Sequence, residues 1–90
     1  MAMTPIGEFR RKMEAGACVL GGSVSFTDGL VSDALGSEAE FLWIDLEHCA
    51  MSPEALAGHL MACRLRGVPS LVRTPSHLTP FVKAALDAGA

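Results

Sequence analysis

Ninety residues, half of them apolar, can enclose one small core but not two, so the chain is one domain or a piece of one. A formal charge of −3, with Arg10, Arg11 and Lys12 as the one basic cluster and Glu8 and Glu14 beside them, excludes a nucleic-acid-binding stripe. No apolar run approaches the ~18–20 residues that span a bilayer, and no charged start leads into a signal-type apolar core, so a soluble, cytoplasmic protein with no membrane partner is expected.

The predicted elements are regularly punctuated. Thr4-Pro5 opens a helix that closes at Gly16: a hydroxyl accepts a bond from a free N–H, proline sits where its missing N–H costs nothing, and glycine ends the helix left-handed. A first strand, Ala17 to Ser25, follows. A short helix then runs from about Asp28 to Leu35, with Thr27 or Asp28 as its cap and Gly36 as its stop. The second strand, Glu40 to Leu46, contains Phe41-Leu42-Trp43-Ile44, an apolar run that fits a strand buried on both faces. Ser52-Pro53 opens the third helix, which closes at Gly67 and carries Leu56, Leu60 and Cys63 on one stripe. Val68 to Arg73 is the third strand. Thr79-Pro80 opens the last helix, closing at Gly89, with Phe81, Val82, Ala85 and Leu86 as its stripe. Both stripes are expected in the core, with Met51 and Met61 as filler.

A helix followed three times by strand and helix implies an α/β fold with right-handed crossovers and a parallel sheet. A closed barrel and a doubly wound open sheet both remain compatible. Three parallel strands leave two open edges that invite pairing. The last residues, Leu86-Asp87-Ala88-Gly89-Ala90, read as a helix terminus about to feed another strand. A truncated product, a fragment, or a chain completed by association is therefore expected.

Parallel strands deliver chemistry at their carboxyl ends, where side chains face a crevice. Asp45-Leu46-Glu47-His48 and Leu71-Val72-Arg73-Thr74-Pro75 share that rim. His48 offers a base near neutral pH, and Arg73 a fork that grips a carboxylate or phosphate in two parallel bonds, so a small anionic substrate suits the pair. The alternatives are that these are ordinary hydrophilic loop residues and that Arg73 is an ion-pair partner for Asp45. Cys18, Cys49 and Cys63 are odd in number and in no CxxC arrangement, which predicts reduced, mostly buried thiols. His59 and Cys63 lie four apart on one helix and could ligate a metal, but without further partners they read as packing and surface positions. His77, before a helix cap, is expected in solvent. Gly21-Gly22 is too short and wrongly spaced for a dinucleotide or phosphate loop.

The pattern Trp43-Ile44-Asp45-Leu46-Glu47-His48, then Leu71-Val72-Arg73-Thr74-Pro75, then Leu86-Asp87-Ala88-Gly89-Ala90 resembles the HpcH/HpaI aldolase/citrate lyase family of class II, metal-dependent pyruvate aldolases. The spacings, 25 positions from His48 to Arg73 and 14 from Arg73 to Asp87, agree with that family. The resemblance implies that residues 1–90 are the N-terminal portion, about three βα units and a leading helix, of a TIM-type (β/α)8 barrel truncated at its C-terminal side.

It further implies a carbon–carbon lyase that cleaves a 4-hydroxy-2-oxo acid to pyruvate and an aldehyde, or runs the reverse addition. The alternatives are a lyase acting on an acyl-CoA, as in the citrate lyase branch, and a non-catalytic fragment that assembles with other barrel pieces. On this resemblance His48 is the catalytic base, and Asp87 is the carboxylate that pairs with it and holds its tautomer. Arg73 binds the pyruvate unit and stabilises the enolate. Glu47 contributes to substrate binding as an acid beside the metal, acting through water. A divalent ion, Mg²⁺ or Mn²⁺, is implied for the full-length enzyme, its direct ligands on later strands beyond Ala90, and the isolated chain is expected to be inactive. A homo-oligomer acting on a small 2-oxo acid and an aldehyde is also implied. Because a helix terminus returns to the amino-terminal rim, Asp87 reaches His48 only through an inward-curling loop or from a neighbouring subunit. Three departures from the family pattern, Gly21-Gly22-Ser23 without the usual aromatic, Glu38-Ala39-Glu40 before the second strand and Cys49-Ala50 after the histidine, fall where rim residues shape the aldehyde side of the pocket.

Overall fold

The computed structural model describes residues 3–90, in the order α1 (Pro5–Glu14), β1 (Gly21–Val24), α2 (Gly29–Leu35), β2 (Phe41–Asp45), α3 (Pro53–Arg66), β3 (Ser70–Arg73) and α4 (Thr79–Asp87). Local chemistry sets most of these boundaries. Thr4 Oγ1 accepts the Gly7 N–H at 3.1 Å, Asp28 Oδ1 the Leu30 N–H at 2.9 Å, and Ser52 Oγ the Ala55 N–H at 3.1 Å. Gly16, Gly67 and Gly89 take positive φ of 78°, 68° and 114°, as expected of glycines that end helices.

Two expected boundaries are corrected, at Thr79 and at β1, whereas Gly36 stops α2 as expected, with an ordinary right-handed φ of −63°. Space selects it there, since a Cβ would stand 2.9 Å from the Ser32 carbonyl oxygen and 3.2 Å from Val68 Cγ1. Thr79 does not cap α4; Leu78 holds that position without a side-chain bond, because the loop's hydroxyls are used earlier, Thr74 Oγ1 on the Ser76 carbonyl and Ser76 Oγ on the Leu78 N–H. β1 is confined to four residues, those in register with β2.

The sheet is parallel with strand order β1-β2-β3. Val24 pairs with Ile44, Leu42 with Ser70, and Asp45 with Arg73, and alternation places each such pair on a common face. Val24, Leu42 and Ile44 are fully buried against Leu56, Leu60 and Cys63 of α3 and Ala85 of α4. Gly22 lies on that face too, and a Cβ there would meet Leu35 of α2. Helices α2, α3 and α4 thus all cover one side of a sheet whose strands are in sequential order. A doubly wound sheet would put helices on both sides, so the arrangement is that of a barrel wall.

The opposite face corrects the expectation that β2 is buried on both sides: Trp43 remains 39% exposed, with no helix among the described residues packed over it. It also explains why the α4 stripe is only partly used. Ala85 is buried, whereas Phe81, Val82 and Leu86 stay exposed, since α4 packs on α3 with no strand beyond β3 among the described residues. Met61 points outward at 60% exposure, contrary to its expected place in the core; Met51 does pack against the core. Helix α1 lies across the amino ends of the strands, where Phe9 meets Phe41 edge-on at 5.3 Å and Lys12 Nζ reaches Glu40 at 3.5 Å.

The tightest junction joins α2 to α3. A Cβ on Gly29 would sit 3.2 Å from the Gly58 carbonyl, so the two backbones touch. At the far end the Arg66 guanidinium grips Asp33 at 2.9 and 3.2 Å, which holds that carboxyl below its usual range. Between them His59 is completely buried and bonded at both nitrogens, to Ser32 Oγ through Nδ1 and to the Phe26 carbonyl through Nε2, each at 2.7 Å. A carbonyl only accepts, so Nε2 carries a proton and donates. His59 and Cys63, expected as packing and surface positions, are both packing positions. Of the thiols only Cys63 is buried, which pushes its titration upward; Cys49 is half-buried and Cys18 exposed, so the expectation of mostly buried cysteines holds for one of them. His77 is exposed, as expected.

Gly58→Ala should stabilise the chain by about 0.5–1 kcal/mol, because its Cβ would meet nothing within 4 Å and the helix interior loses a glycine. Gly29→Ala should destabilise it, because backbone rather than a flexible side chain blocks the added methyl. Urea midpoints of the two variants should move in opposite directions.

Candidate functional site

β2 and β3 end level with one another, Asp45 beside Arg73, and the Leu46 N–H continues the ladder by donating to the Arg73 carbonyl at 2.9 Å. Asp45 then turns the chain. Its Oδ1 accepts the Glu47 N–H at 2.8 Å and the His48 N–H at 3.1 Å, an Asx-type turn that fixes where both following side chains leave the rim. Those amides, His48 first, with Arg73 adding its charge at 3.9 Å, hold the Asp45 carboxyl below the usual carboxylate range.

Glu47 takes the Arg73 fork: Nε lies 3.2 Å from Oε2 and Nη2 3.3 Å from Oε1. The same Oε1 stands 3.1 Å from His48 Nε2. Asp45, Glu47, His48 and Arg73 are thereby joined on one open patch, with the His48 side chain 64% and the Arg73 side chain 40% exposed. Its chemistry is a carboxylate grip with an imidazole at its edge. The Arg73–Asp45 pairing weighed from the sequence is present but long, and Glu47 holds the fork itself.

Asp87 is not brought to this patch. Its carboxylate pairs with Lys83 Nζ at 3.0 Å in the last turns of α4. The following Gly89 and Ala90 line a cavity with Pro69 and Ser70, at the amino end of β3 and so at the opposite rim. His59 and Cys63 bind no common centre: the histidine nitrogens are both spent on Ser32 and Phe26. Among the described residues no three His, Cys, Asp or Glu side chains converge as a metal centre would need. An apolar cleft of about 140 Å³ lined by Leu46, Met51, Leu56, Pro75 and Phe81 opens between the β2–α3 and β3–α4 connections, on the helix side of the same rim.

Two residues named from the sequence take roles that the sequence did not give them. Asp45 organises the turn that aims Glu47 and His48, and an Asp at a strand end ahead of two polar residues was the available signal. His59, from a helix face, fixes the loop after β1; no local pattern marks it, since its partners lie 27 and 33 positions away.

The Asp45 turn carries a pH prediction. A carboxyl whose folded titration is depressed contributes stability that is complete above the unfolded Asp value of about 3.9 and is lost as pH falls through the lowered folded one. Protection of the Glu47 and His48 amides, their exchange relative to the intrinsic rate at each pH, should therefore hold down to about pH 4 and fall below it, and Asp45→Asn should weaken this acid dependence.

No family model matches the chain, and no curated protein matches it in sequence. Solved structures do match. A citrate synthase, SbnG, is 28% identical with a TM-score of 0.80, covering 90% of this chain and 34% of its own. A variant of that synthase is 29% identical with a TM-score of 0.74, covering 91% and 35%. An HpcH/HpaI aldolase from Desulfitobacterium hafniense DCB-2, 24% identical with a TM-score of 0.79, covers 99% and 34% and bears on the fold alone. The chain thus spans about a third of the length of these structures, matching the N-terminal part of the barrel. The chain is therefore similar in fold to the N-terminal part of an HpcH/HpaI aldolase, the family that its three short motifs resemble in sequence.

Proposed function

We propose that this chain carries part of the active site of a carbon–carbon lyase acting on a 4-hydroxy-2-oxo acid, as the N-terminal βα units of a barrel whose remaining units complete the pocket. One observation carries the reading: a carboxylate already lies in the Arg73 fork, 3.1 Å from His48 Nε2. A substrate carboxylate in that place puts the rest of a small oxo acid beside the imidazole. His48 then takes the proton from the substrate hydroxyl, the carbon–carbon bond breaks to release an aldehyde, and the electron pair passes to the pyruvate enolate that Arg73 faces.

The divalent ion expected of such an enzyme does not fit the residues present here. Asp45 is committed to two amides, and Glu47 to Arg73 and His48, and among the described residues no metal-binding group of three His, Cys, Asp or Glu forms. Mg²⁺ or Mn²⁺ therefore belongs to ligands outside this chain. A homo-oligomer in the cytoplasm, with Asp87 supplied to His48 across subunits, completes the proposal; no helix among the described residues is long and apolar enough to cross a membrane. The likeness to a citrate synthase favours a second reading, a Claisen-type lyase acting on an acyl-CoA. Turnover of thioesters but not of free aldehydes would select it.

The test uses a complete protein carrying these residues. Arg73→Ala should lower kcat by about 10²–10³ and weaken pyruvate binding, since it removes a donor to the developing oxyanion. Asp87→Asn should lower kcat with pyruvate affinity retained; a silent Asp87→Asn would remove that residue from the mechanism. The 90-residue chain alone should release no pyruvate with any divalent metal.

A further inference from the structure

We propose that Glu47 is a built-in occupant of the anion subsite, a side chain that fills the Arg73 fork and tethers His48 until a ligand carboxylate displaces it. The inference rests on the reading of Arg73 as the carboxylate grip and adds a regulation of that grip.

Glu47 meets Arg73 as a ligand carboxylate would, with two parallel contacts of 3.2 and 3.3 Å to Nε and Nη2. Its Oε1 is shared between Arg73 Nη2 and His48 Nε2, so one oxygen couples the grip to the imidazole. A fork holds one carboxylate at a time, and an incoming anion must break both contacts before it can bind. The backbone is independent of this exchange: the Glu47 and His48 amides are tied to Asp45, not to the Glu47 carboxylate. Displacement therefore needs only rotation of the Glu47 side chain about its own bonds, towards solvent to which it is already 37% exposed. Once displaced, Glu47 no longer restrains the imidazole, which is then free to contact the ligand.

Two consequences follow for recognition. A ligand competes with an intramolecular carboxylate, so weakly basic or monodentate anions such as chloride do not open the site. A ligand that also offers a group to His48 replaces all three contacts and is favoured over a simple carboxylate such as acetate.

The test is a titration of the ¹⁵N-labelled 90-residue chain with sodium pyruvate at constant ionic strength, following the Arg73 Nε–H and the His48 ring resonances. Glu47→Gln should bind pyruvate about two- to five-fold more tightly than the parent, the ratio set by ~0.5–1 kcal/mol for an exposed bidentate pair. Glu38→Gln, an equal change of charge on an exposed residue that the structure places before β2, at the amino ends of the strands and away from the pocket rim expected for it from the sequence, should leave the affinity at the parent value. Glu47→Ala serves as the second variant and should behave like Glu47→Gln. Equal affinity in the parent and both Glu47 variants, or an equal gain in Glu38→Gln, overturns the occupant role while leaving Arg73 as the grip. No movement of the Arg73 Nε–H in any of the proteins overturns the carboxylate reading of Arg73, and the occupant with it.

Discussion

Replacing His59 with leucine should lower the folding stability of this chain by about 3 kcal/mol, more than any substitution at the candidate site. The ring is completely buried and bonded at both nitrogens, to Ser32 Oγ and to the Phe26 carbonyl. Leucine fills comparable space but leaves the Ser32 hydroxyl, itself completely buried, without a partner, and a buried unsatisfied polar group costs about 1–3 kcal/mol. The Phe26 carbonyl loses its donor too, and with it the tie between the loop after β1 and α3. Ser32→Ala should cost about 1 kcal/mol, because Nδ1 loses its donor but Nε2 keeps the carbonyl. The double variant Ser32→Ala, His59→Leu should be less damaged than the two separate losses predict, since both ends of one bond are removed together. Urea unfolding of the four proteins forms the cycle, and an unchanged midpoint for His59→Leu would refute the structural role.

Leu42→Ala should cost about 3–4 kcal/mol and Trp43→Ala much less, although tryptophan is the larger side chain. Leu42 is fully buried on the helix-covered face, whereas Trp43 stands on the opposite face at 39% exposure. Deleting buried methyl groups loses their transfer energy and leaves a cavity, while trimming a half-exposed ring leaves little void. A domain of this length holds roughly 5–13 kcal/mol in all, so Leu42→Ala removes a large share of it. A core covered on one side and open at both sheet edges belongs towards the lower end of that range, and a melt that shifts with protein concentration would show the open face being covered by association. If Trp43→Ala proved as costly as Leu42→Ala, the face carrying Trp43 would be buried in solution.

The contrast between these adjacent residues marks the boundary of what is legible in the chain. Phe41-Leu42-Trp43-Ile44 reads as a uniformly apolar run, and uniform hydrophobicity records that a strand can be buried on both faces without recording which face has a cover. The α4 stripe behaves in the same way: Phe81, Val82, Ala85 and Leu86 share helical spacing, yet only Ala85 is buried, because burial depends on what stands opposite. Where the cause is local, the reading held except at Thr79, whose cap position Leu78 takes. Thr4, Asp28 and Ser52 cap their helices, and Gly16, Gly67 and Gly89 are left-handed, because each of these contacts closes within a few residues.

The rim chemistry divides along the same line. That Glu47, His48 and Arg73 lie at the carboxyl ends of neighbouring strands follows from strand spacing and parallel order, both visible in the amino acids themselves. That Glu47 rather than Asp45 fills the Arg73 fork depends on a register and a turn spanning 26 positions. His59 is the extreme case, a residue of unremarkable spacing made structural by partners on two other elements. The chain by itself therefore determined its elements, their parallel order and the residues delivered to one rim, since these arise from capping, φ preference and hydrophobic period over short distances. Only the tertiary structure decided that the helices share one face, which buried polar groups satisfy each other, and that Glu47 fills the Arg73 fork. Those outcomes are set by contacts between segments distant along the chain, whose partners no local pattern names.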